Sequence, residues 1–195
     1  MTRLPVLAPA ELDDRQRALY DAIASGPRAA GPRLFALTDA DGRLNGPFNA
    51  MLFAPEVGTA LQELGAAIRY RSSLTARIRE MAILAVAAHW DSAFERYAHE
   101  AAGRAAGLTD GELRSLRDGE PLRLADPAEL AAHDVVRALL ADDDVGGPLF
   151  ERAVSLIGNQ AVVELTSLVG YYATLALQLR VFRVGLPAEL PGESA

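Results

Sequence analysis

The sequence predicts an all-α protein that folds as a helical bundle. Half of its 195 residues are hydrophobic but only 6% are aromatic, so alanine, leucine and valine supply most of the apolar surface. Alanine and leucine are among the strongest helix formers. Apolar residues recur at helical spacing, and no segment keeps the period-two alternation of a half-buried strand. A chain of this length can bury a core without disulfides or a structural metal.

The charge and two missing residue types exclude several kinds of chemistry. The formal net charge of −7 disfavours nucleic acid or an anionic membrane as a partner. The sequence contains no cysteine, which excludes disulfides, thiolate nucleophiles and thiolate metal ligands. All 19 basic residues are arginine, which excludes a Schiff-base lysine and a P-loop lysine. We expect a cytoplasmic protein, because we find no signal-peptide pattern and no run of the roughly 18–20 apolar residues that span a bilayer.

Residues 1–46 are predicted to form an N-terminal extension, a helix followed by a long loop. Apolar periodicity predicts the helix over Pro9–Ser25, with Gly26-Pro27 as its stop. Residues 26–47 are rich in glycine, proline and arginine, and they predict the loop. Asp39–Gly42 is similar to the start of a calcium loop. It lacks the third ligand before the glycine and the glutamate after it, so we predict no calcium site.

Two short helices and then a central helical hairpin are predicted next. Pro47–Ala54 and Pro55–Tyr70 predict the two short helices, and the hairpin spans about residues 75–107. From Met81 to Ala88 every side chain is apolar, which is typical of a helix buried in a core or in a subunit interface. The inward face of the 55–70 helix is predicted to consist of Val57, Leu61, Leu64 and Ile68.

Helix start and stop signals divide the rest of the chain. Asp91 and Ser92 are good N-cap types for a helix that ends near Gly107. Thr109–Glu112 fits a capping box, and Asp126–Glu129 provides an N-cap, a proline at N1 and a glutamate at N3.

The last predicted helical run extends from about Gly147 to Val184. It is predicted to divide near Gly158, and residues 185–195 are predicted to form a loose tail. The apolar positions of this run that recur at helical spacing are Val162, Leu165, Leu168, Val169, Tyr172, Leu175, Ala176 and Leu179.

Four polar residues of the hairpin are candidates for proton transfer. Glu80 begins the most apolar helix, and Ser92, Glu95 and His99 share one stripe of the next helix at i, i+3 and i+7. Glu95 is close enough to orient the His99 imidazole and to raise its basicity. Ser92 lies in the first turn, where free N–H groups favour an anion. A Glu/His pair at this spacing is also typical of a solvated surface, so the pattern leaves both interpretations open.

Other side chains could bind a substrate. Paired hydrogen bonds from an arginine could hold a carboxylate, although a run of arginines is more often a solvated helix end. Tyr171 or Tyr172 could place a hydroxyl in the pocket or simply pack between helices. One helix supplies only two metal ligands at good spacing, so no metal site is predicted. The arginines considered are Arg69, Arg71, Arg77 and Arg79.

Five stretches of the sequence match, in order, the motifs of one family. They are Gly46–Leu52, Arg79–Val86, Glu95-x-x-x-His99 leading to Ala106–Thr109, Val163–Tyr172, and Leu179–Phe182. With them, residues 47–184, about 70% of the chain, resemble the carboxymuconolactone decarboxylase family. This family lies within the superfamily of alkylhydroperoxidase D-type proteins.

The resemblance implies an alkylhydroperoxidase D-like helical bundle over residues 47–184, assembled as trimers or hexamers with sites near subunit contacts. In the peroxidase branch a glutamate precedes a Cys-x-x-Cys pair, and a histidine follows the second cysteine by four residues. Glu80 and His99 match the outer positions, but Ser92 and Glu95 stand where the cysteines would be. Thiol peroxidase activity is therefore excluded.

The decarboxylase branch is the better match, because it commonly has glutamate at the position of Glu95 and histidine at that of His99. The chain also departs from the family. Arg96 stands where many relatives have tryptophan, Ala98 where many have a second histidine, and Arg180 where asparagine is common. We expect these positions to line or flank the pocket.

We therefore expect an acid–base enzyme, similar to a decarboxylase, that needs no cofactor or metal and acts on a small carboxylated or lactone-type molecule. His99 would deliver the proton, Glu95 would orient it, and Glu80 would tune the pair or relay the proton. The residues expected to bind substrate are Ser92, Arg96, Tyr171 and Arg77.

Other functions fit the same residues. An isomerase, a dehydratase or a lactone hydrolase also moves a proton beside a stabilised oxyanion. A non-catalytic helical protein that binds a ligand or acts as a scaffold is a further alternative. We expect a homo-oligomer, and neither nucleic acid nor membrane as a partner.

Overall fold

The computed structural model describes residues 2–26, 35–141 and 144–187, and its regular elements in these ranges are helices. An isolated bridge between Thr38 and Leu44 is the one β pairing among them, so the predicted all-α class is confirmed. The elements in chain order are a 3₁₀ helix Pro9–Glu11, α1 Asp14–Ala24, α2 Pro47–Met51, α3 Pro55–Tyr70, α4 Ala76–His89, α5 Ala93–Ala105, α6 Asp110–Asp118, α7 Pro127–Leu140 and α8 Gly147–Phe182. The predicted stop at Pro27, loop residues 27–34 and the tail beyond residue 187 lie outside the described residues.

Helix α4 is the central element of the bundle, with α5, α6, α7 and α8 packed around it. One side of α4 joins the main core, where it meets apolar side chains of α7 and α8. The other side packs against leucines of α6 and of the loops that flank it. The prediction that this helix is buried all round is confirmed, because two apolar clusters enclose it. Its buried apolar residues are Ile78, Met81, Ala82, Ile83, Leu84, Val86 and Ala87.

The predicted capping signals set several helix boundaries. Thr109 accepts a hydrogen bond from the backbone of Glu112, and the Glu112 carboxylate accepts one from the Thr109 backbone at 2.7 Å. Asp126 caps α7 by accepting from Ala128 N–H at 2.8 Å. Gly107, with φ of 94°, follows the end of α5. The capping predictions for these three boundaries are confirmed, because each depends on contacts between residues close in sequence.

The first helix is shorter than predicted. Pro9–Glu11 forms only a 3₁₀ turn, and α1 begins after Asp13. Asp13 accepts from Gln16 N–H at 2.9 Å, and the Gln16 amide oxygen accepts from Asp13 N–H. This capping box requires an extended backbone at Asp13, so α1 starts there and does not continue back to Pro9.

The predicted inward face of α3 is wrong for two of its four members. Val57 and Leu64 are 58% and 41% exposed, and the buried positions are instead Gly58, Gln62, Gly65 and Ile68. A Cβ at Gly58 would overlap with Met51 and Leu19. At Gly58 the absence of a side chain permits a close approach of backbones, and Val57 and Leu64 face outward while Ile68 stays in the core.

Helix α8 is interrupted at Gly158, where φ is 81° and ψ is 160°, so the predicted division is confirmed. The eight predicted inward positions between Val162 and Leu179 are all buried. An 18-residue window of α8 has a mean hydropathy of 1.3, enough for a membrane span by length and composition alone. The expectation that no segment reaches this threshold is therefore wrong for α8. Helix α8 packs against α3, α4 and α7, and a core helix of a globular protein has the same composition.

Gly46 fixes how the loop before α2 meets the bundle. Its backbone has φ of 63° and ψ of −138°, a region that residues with a Cβ adopt only with strain. A Cβ at this position would also overlap with the ring of Phe94 on α5. The Phe94 ring packs edge-on against Phe35 and Tyr97, with centroid distances of 6.3 and 6.2 Å.

We predict that Gly46→Ala lowers the free energy of unfolding by at least about 3 kcal/mol, because backbone strain and overlap with Phe94 add together. Urea denaturation followed by circular dichroism measures the change. Gly119→Ala is the matched control: Gly119 also has a positive φ, of 70°, but nothing lies near its missing Cβ. It should cost only about 1–2 kcal/mol. Equal losses in both variants would contradict the steric role of Phe94.

Candidate functional site

The helical hairpin α4–α5 brings two residues 19 positions apart into direct contact inside the protein. Glu80 lies near the start of α4, and His99 lies in the middle of α5. Glu80 and Glu95 are each 3% exposed, and His99 is 5% exposed. Tyr172 of α8 covers the imidazole edge-on, with ring centroids 5.2 Å apart. Three helices therefore build this cluster, and water has little access to it.

The His99 imidazole lies between two carboxylates. Its Nδ1 is 2.7 Å from Glu80 Oε2, which is a hydrogen bond. Its Nε2 is 3.5 Å from Glu95 Oε2, within the range of an ion pair when the ring is protonated. The sequence predicted that Glu95 would orient the ring. In the structure Glu80 makes the shorter contact and orients it, and Glu95 faces the other nitrogen.

Glu80 is the carboxylate whose charge the site stabilises most clearly. Burial by itself would raise the pKa of Glu80, but His99, Arg69 and Arg79 together outweigh it and hold that pKa below its ordinary value. Arg79 contributes at a distance of 3.6 Å from Nε to Glu80 Oε1. An ionised carboxylate can only accept, so His99 Nδ1 is the donor and carries a proton. The other nitrogen, Nε2, faces Glu95.

Arg69 and Tyr172 complete the polar lining. Burial raises the pKa of the Tyr172 hydroxyl strongly, so it stays neutral and can donate a hydrogen bond. Arg69 bonds to this hydroxyl and lies close enough to Glu80 to stabilise its charge. Tyr171 packs edge-on against Tyr172 at a centroid distance of 5.1 Å. The cluster thus combines a cation, a neutral hydroxyl and a histidine flanked by carboxylates.

These groups line a small cavity. Its volume of about 20 Å³ holds roughly one water molecule. Apolar side chains form the rest of the wall, among them Phe35 and Phe94, which pack edge-on against each other. The polar residues that line the cavity are Arg69, Glu95, His99, Tyr171 and Tyr172.

The structure brings together most of the residues that the sequence singled out. His99, Glu95 and Tyr171 line the cavity, and Glu80 lies directly behind His99. Ser92 is also buried, at the N-cap of α5, but it lines a separate groove. Arg96 pairs with Asp91 at 2.9 Å and does not line the cavity.

Arg77 is not at this site, so the prediction that it binds substrate is wrong for this cavity. Its Nε donates to Glu129 at 2.8 Å, and its other nitrogens bond to Glu112 and to the Gly107 carbonyl. Arg77 therefore joins α4 to α6, to α7 and to the end of α5. All three guanidinium nitrogens of Arg77 donate to these contacts, so few N–H groups remain for a substrate.

The sequence does not distinguish Arg69 from the other arginines of its run, and only its position beside Tyr172 does so. For Tyr172 the sequence left two roles open, packing between helices and a hydroxyl in the pocket. In the structure Tyr172 is buried and lines the cavity, where its hydroxyl meets Arg69. Among the described residues, no group of three or more His, Asp or Glu side chains is arranged to hold a metal ion.

Comparison with known proteins gives matches to a family and to a fold. The sequence model of the carboxymuconolactone decarboxylase family matches residues 55–138. No curated protein sequence matches the chain significantly. Six chains of solved structures match. One is a protein of unknown function from Agrobacterium tumefaciens, described as a candidate antioxidant defence protein AhpD. It has 20% identity and a TM-score of 0.63, with 74% of this chain and 100% of that chain covered, which shows a shared fold.

We predict that Glu80 makes the stability of the protein pH-dependent. Its folded pKa lies below its ordinary value of 4.5, so below that pH the unfolded chain binds more protons than the folded one. The stabilisation is fully present above pH 4.5 and is lost as the pH falls through the folded pKa. The difference in unfolding free energy between wild type and Glu80→Gln should therefore shrink from pH 6 to pH 3.

Urea denaturation at a series of pH values measures this difference. Glu63→Gln, which removes a carboxylate from the exposed side of α3, controls for the general effect of one charge. A gap between wild type and Glu80→Gln that stays constant with pH would show that the Glu80 carboxylate gains nothing from its partners.

Proposed function

Because residues 55–138 match the sequence model of the carboxymuconolactone decarboxylase family, we propose that this chain is a cofactor-independent acid–base enzyme. Its substrate is a small carboxylated or lactone-type organic molecule, and the reaction is a decarboxylation or a related lyase step. The observation that carries this proposal is the buried His99 imidazole with Glu80 on Nδ1 and Glu95 facing Nε2. Such an arrangement suits a group that moves protons near neutral pH.

In the proposed reaction His99 transfers a proton at Nε2. The bond between the substrate carbon and its carboxylate breaks, and the electron pair stays on the substrate as an enolate-like anion while CO₂ leaves. The imidazolium form of His99 then delivers the Nε2 proton to the carbon. Glu80 keeps the Nδ1 proton in place throughout and stabilises the imidazolium, and Glu95 returns a proton to Nε2 directly or through water.

Arg69 and the Tyr172 hydroxyl supply the electrostatic part of this mechanism. Both line the cavity, and each can donate to an oxygen on which negative charge develops. In a site with little water such donors act more strongly than in solution. The cavity has room for about one water, so substrate entry requires side chains of its wall to move.

The same groups support isomerisation, dehydration or lactone hydrolysis, because each of these reactions moves a proton next to an oxyanion. Antioxidant activity is a different matter. The Agrobacterium protein is a candidate for antioxidant defence. The peroxidase branch of the superfamily that this sequence resembles has a Cys-x-x-Cys pair in its active-site motif. In this chain Ser92 and Glu95 stand at those positions, so we do not propose peroxide reduction.

One observation favours a non-catalytic alternative. The cavity beside His99 is too small, at about 20 Å³, for any organic substrate without rearrangement. A helical protein that keeps the Glu–His–Glu cluster only to stabilise its core would have such a cavity. The two functions differ in whether the protein turns over any substrate at all.

We predict that His99→Gln lowers kcat by about 10²–10⁴-fold, the usual contribution of a positioned general acid or base. The assay offers the wild-type protein a panel of carboxylated lactones and keto acids in D₂O, and follows CO₂ release and deuterium incorporation by NMR. Glu95→Gln should also lose activity, because Nε2 loses its proton partner. Glu100→Gln is the matched control, since Glu100 lies on the same helix but pairs with Arg117 at the surface.

Near-wild-type turnover in His99→Gln would exclude His99 as the proton donor. Failure of the wild-type protein to convert any panel member, while Glu80→Gln and His99→Gln unfold at lower urea concentration, would favour the non-catalytic alternative.

We also propose that the chain assembles as a homo-oligomer. Apolar side chains on the outer faces of α3 and α8 support this, because Val57, Leu64, Val163 and Val181 are all exposed in the single chain. Light scattering should give a mass that is a multiple of 20.8 kDa, and Leu64→Glu should reduce it. A monomer at micromolar concentration would contradict this proposal.

A further inference from the structure

A second concave site lies outside the cavity, where the start of α5 meets the end of α8. This groove has a volume of about 400 Å³, which is enough for a small organic ligand. Residues 89–94 form one side, and residues of the last turns of α8 and just after it, from Ala176 to Val184, form the other. Phe94 lines both the groove and the cavity of His99, so the two spaces are neighbours.

Ser92 gives the groove an unused polar group. Serine at an N-cap normally accepts a hydrogen bond from an N–H of the first turn, but the Ser92 side chain makes no such bond. Its Oγ is buried and has no hydrogen-bond partner, and the residue is only 6% exposed. A buried hydroxyl without a partner is costly. The first-turn N–H groups of α5 are also left without a side-chain cap, and they carry the positive end of the helix dipole.

Two arginines from the opposite wall make the groove positive. Arg180 and Arg183 line it, both are exposed, and neither is in an ion pair within the described part of the chain. The one acidic residue in the wall, Asp91, is paired with Arg96. His89 is the remaining titratable group there. In a chain of net charge −7, this local excess of positive charge favours an anion.

The remaining wall is apolar. Trp90, Phe94, Leu179 and Val184 line the groove beside the charged groups. A ligand that matches both parts has an oxyanion at one end and a hydrophobic body at the other. Inorganic phosphate or acetate would fill only the polar end.

We propose that this groove binds a small organic carboxylate, with Ser92 and the first turn of α5 holding the carboxylate opposite Arg180 and Arg183. The apolar body of the ligand packs against Trp90 and Phe94. Seven residues of helix separate Ser92 from His99, which is about 10 Å. The bound carboxylate is therefore too far from His99 to be the group that reacts there, and the groove is a recognition site. It does not depend on the proposed catalytic function.

The test uses the full chain and benzoate as the probe, followed by NMR shifts of the residue 92–95 amides and by calorimetry. We expect millimolar binding that weakens with salt. Arg180→Gln and Arg183→Gln should each weaken it by about tenfold, and Ser92→Ala by several-fold. Arg114→Gln, which removes a positive charge from exposed α6, should leave it unchanged. Melting temperatures confirm that each variant is folded.

Three outcomes would overturn the proposal. They are the absence of shifts at the start of α5, equal affinities in Arg180→Gln and Arg114→Gln, and binding of benzyl alcohol or inorganic phosphate as tight as that of benzoate. His99→Gln separates this proposal from the proposed function, because it should abolish turnover yet keep benzoate affinity within about twofold of wild type.

Discussion

The burial of Glu80 is the constraint on which the site depends. Helix α4 is enclosed by apolar clusters on both sides, so a carboxylate near its start must be paired or must lose its charge. His99 bonds to it at 2.7 Å, and Arg69 and Arg79 add positive charge nearby. These partners come from α5, from α3 and from α4 itself. Removing one partner of a buried pair typically costs about 3–5 kcal/mol, so the packing of three helices and the orientation of the imidazole are coupled.

Local features explain which parts of the fold the sequence could predict. The caps at Thr109 and Asp126 and the break at Gly158 depend on residues close in sequence, and their patterns are specific. The face of α3 could not be predicted in this way. Hydrophobicity favoured Val57 and Leu64 as the inward residues, but the packing distance to α1 and α2 selected Gly58. Close contact between backbones depends on the partner helices, which a single-helix pattern does not contain.

The site shows the same division between local and distant information. Glu95 and His99 lie four residues apart on one helix, so their proximity was visible from spacing. The shorter contact, from His99 to Glu80, joins two helices. It could be predicted only from the packing of the hairpin, because the two residues are 19 positions apart. The arginine run illustrates the limit most clearly. The sequence pattern does not distinguish Arg77 from Arg69. In the structure Arg77 forms ion pairs with Glu112 and Glu129 of later helices, whereas Arg69 lines the cavity.

The position of Phe94 connects the two halves of the molecule that could bind a ligand. Its ring lies against Gly46, and on its two sides are the positive groove and the cavity of His99. A carboxylate held at Ser92 would place its apolar body against this ring. Contacts that move Phe94 would then open the cavity, and the loop that carries Gly46 would have to yield with it. Phe94 is thus the side chain that a ligand of the groove and a molecule entering the cavity of His99 would both contact.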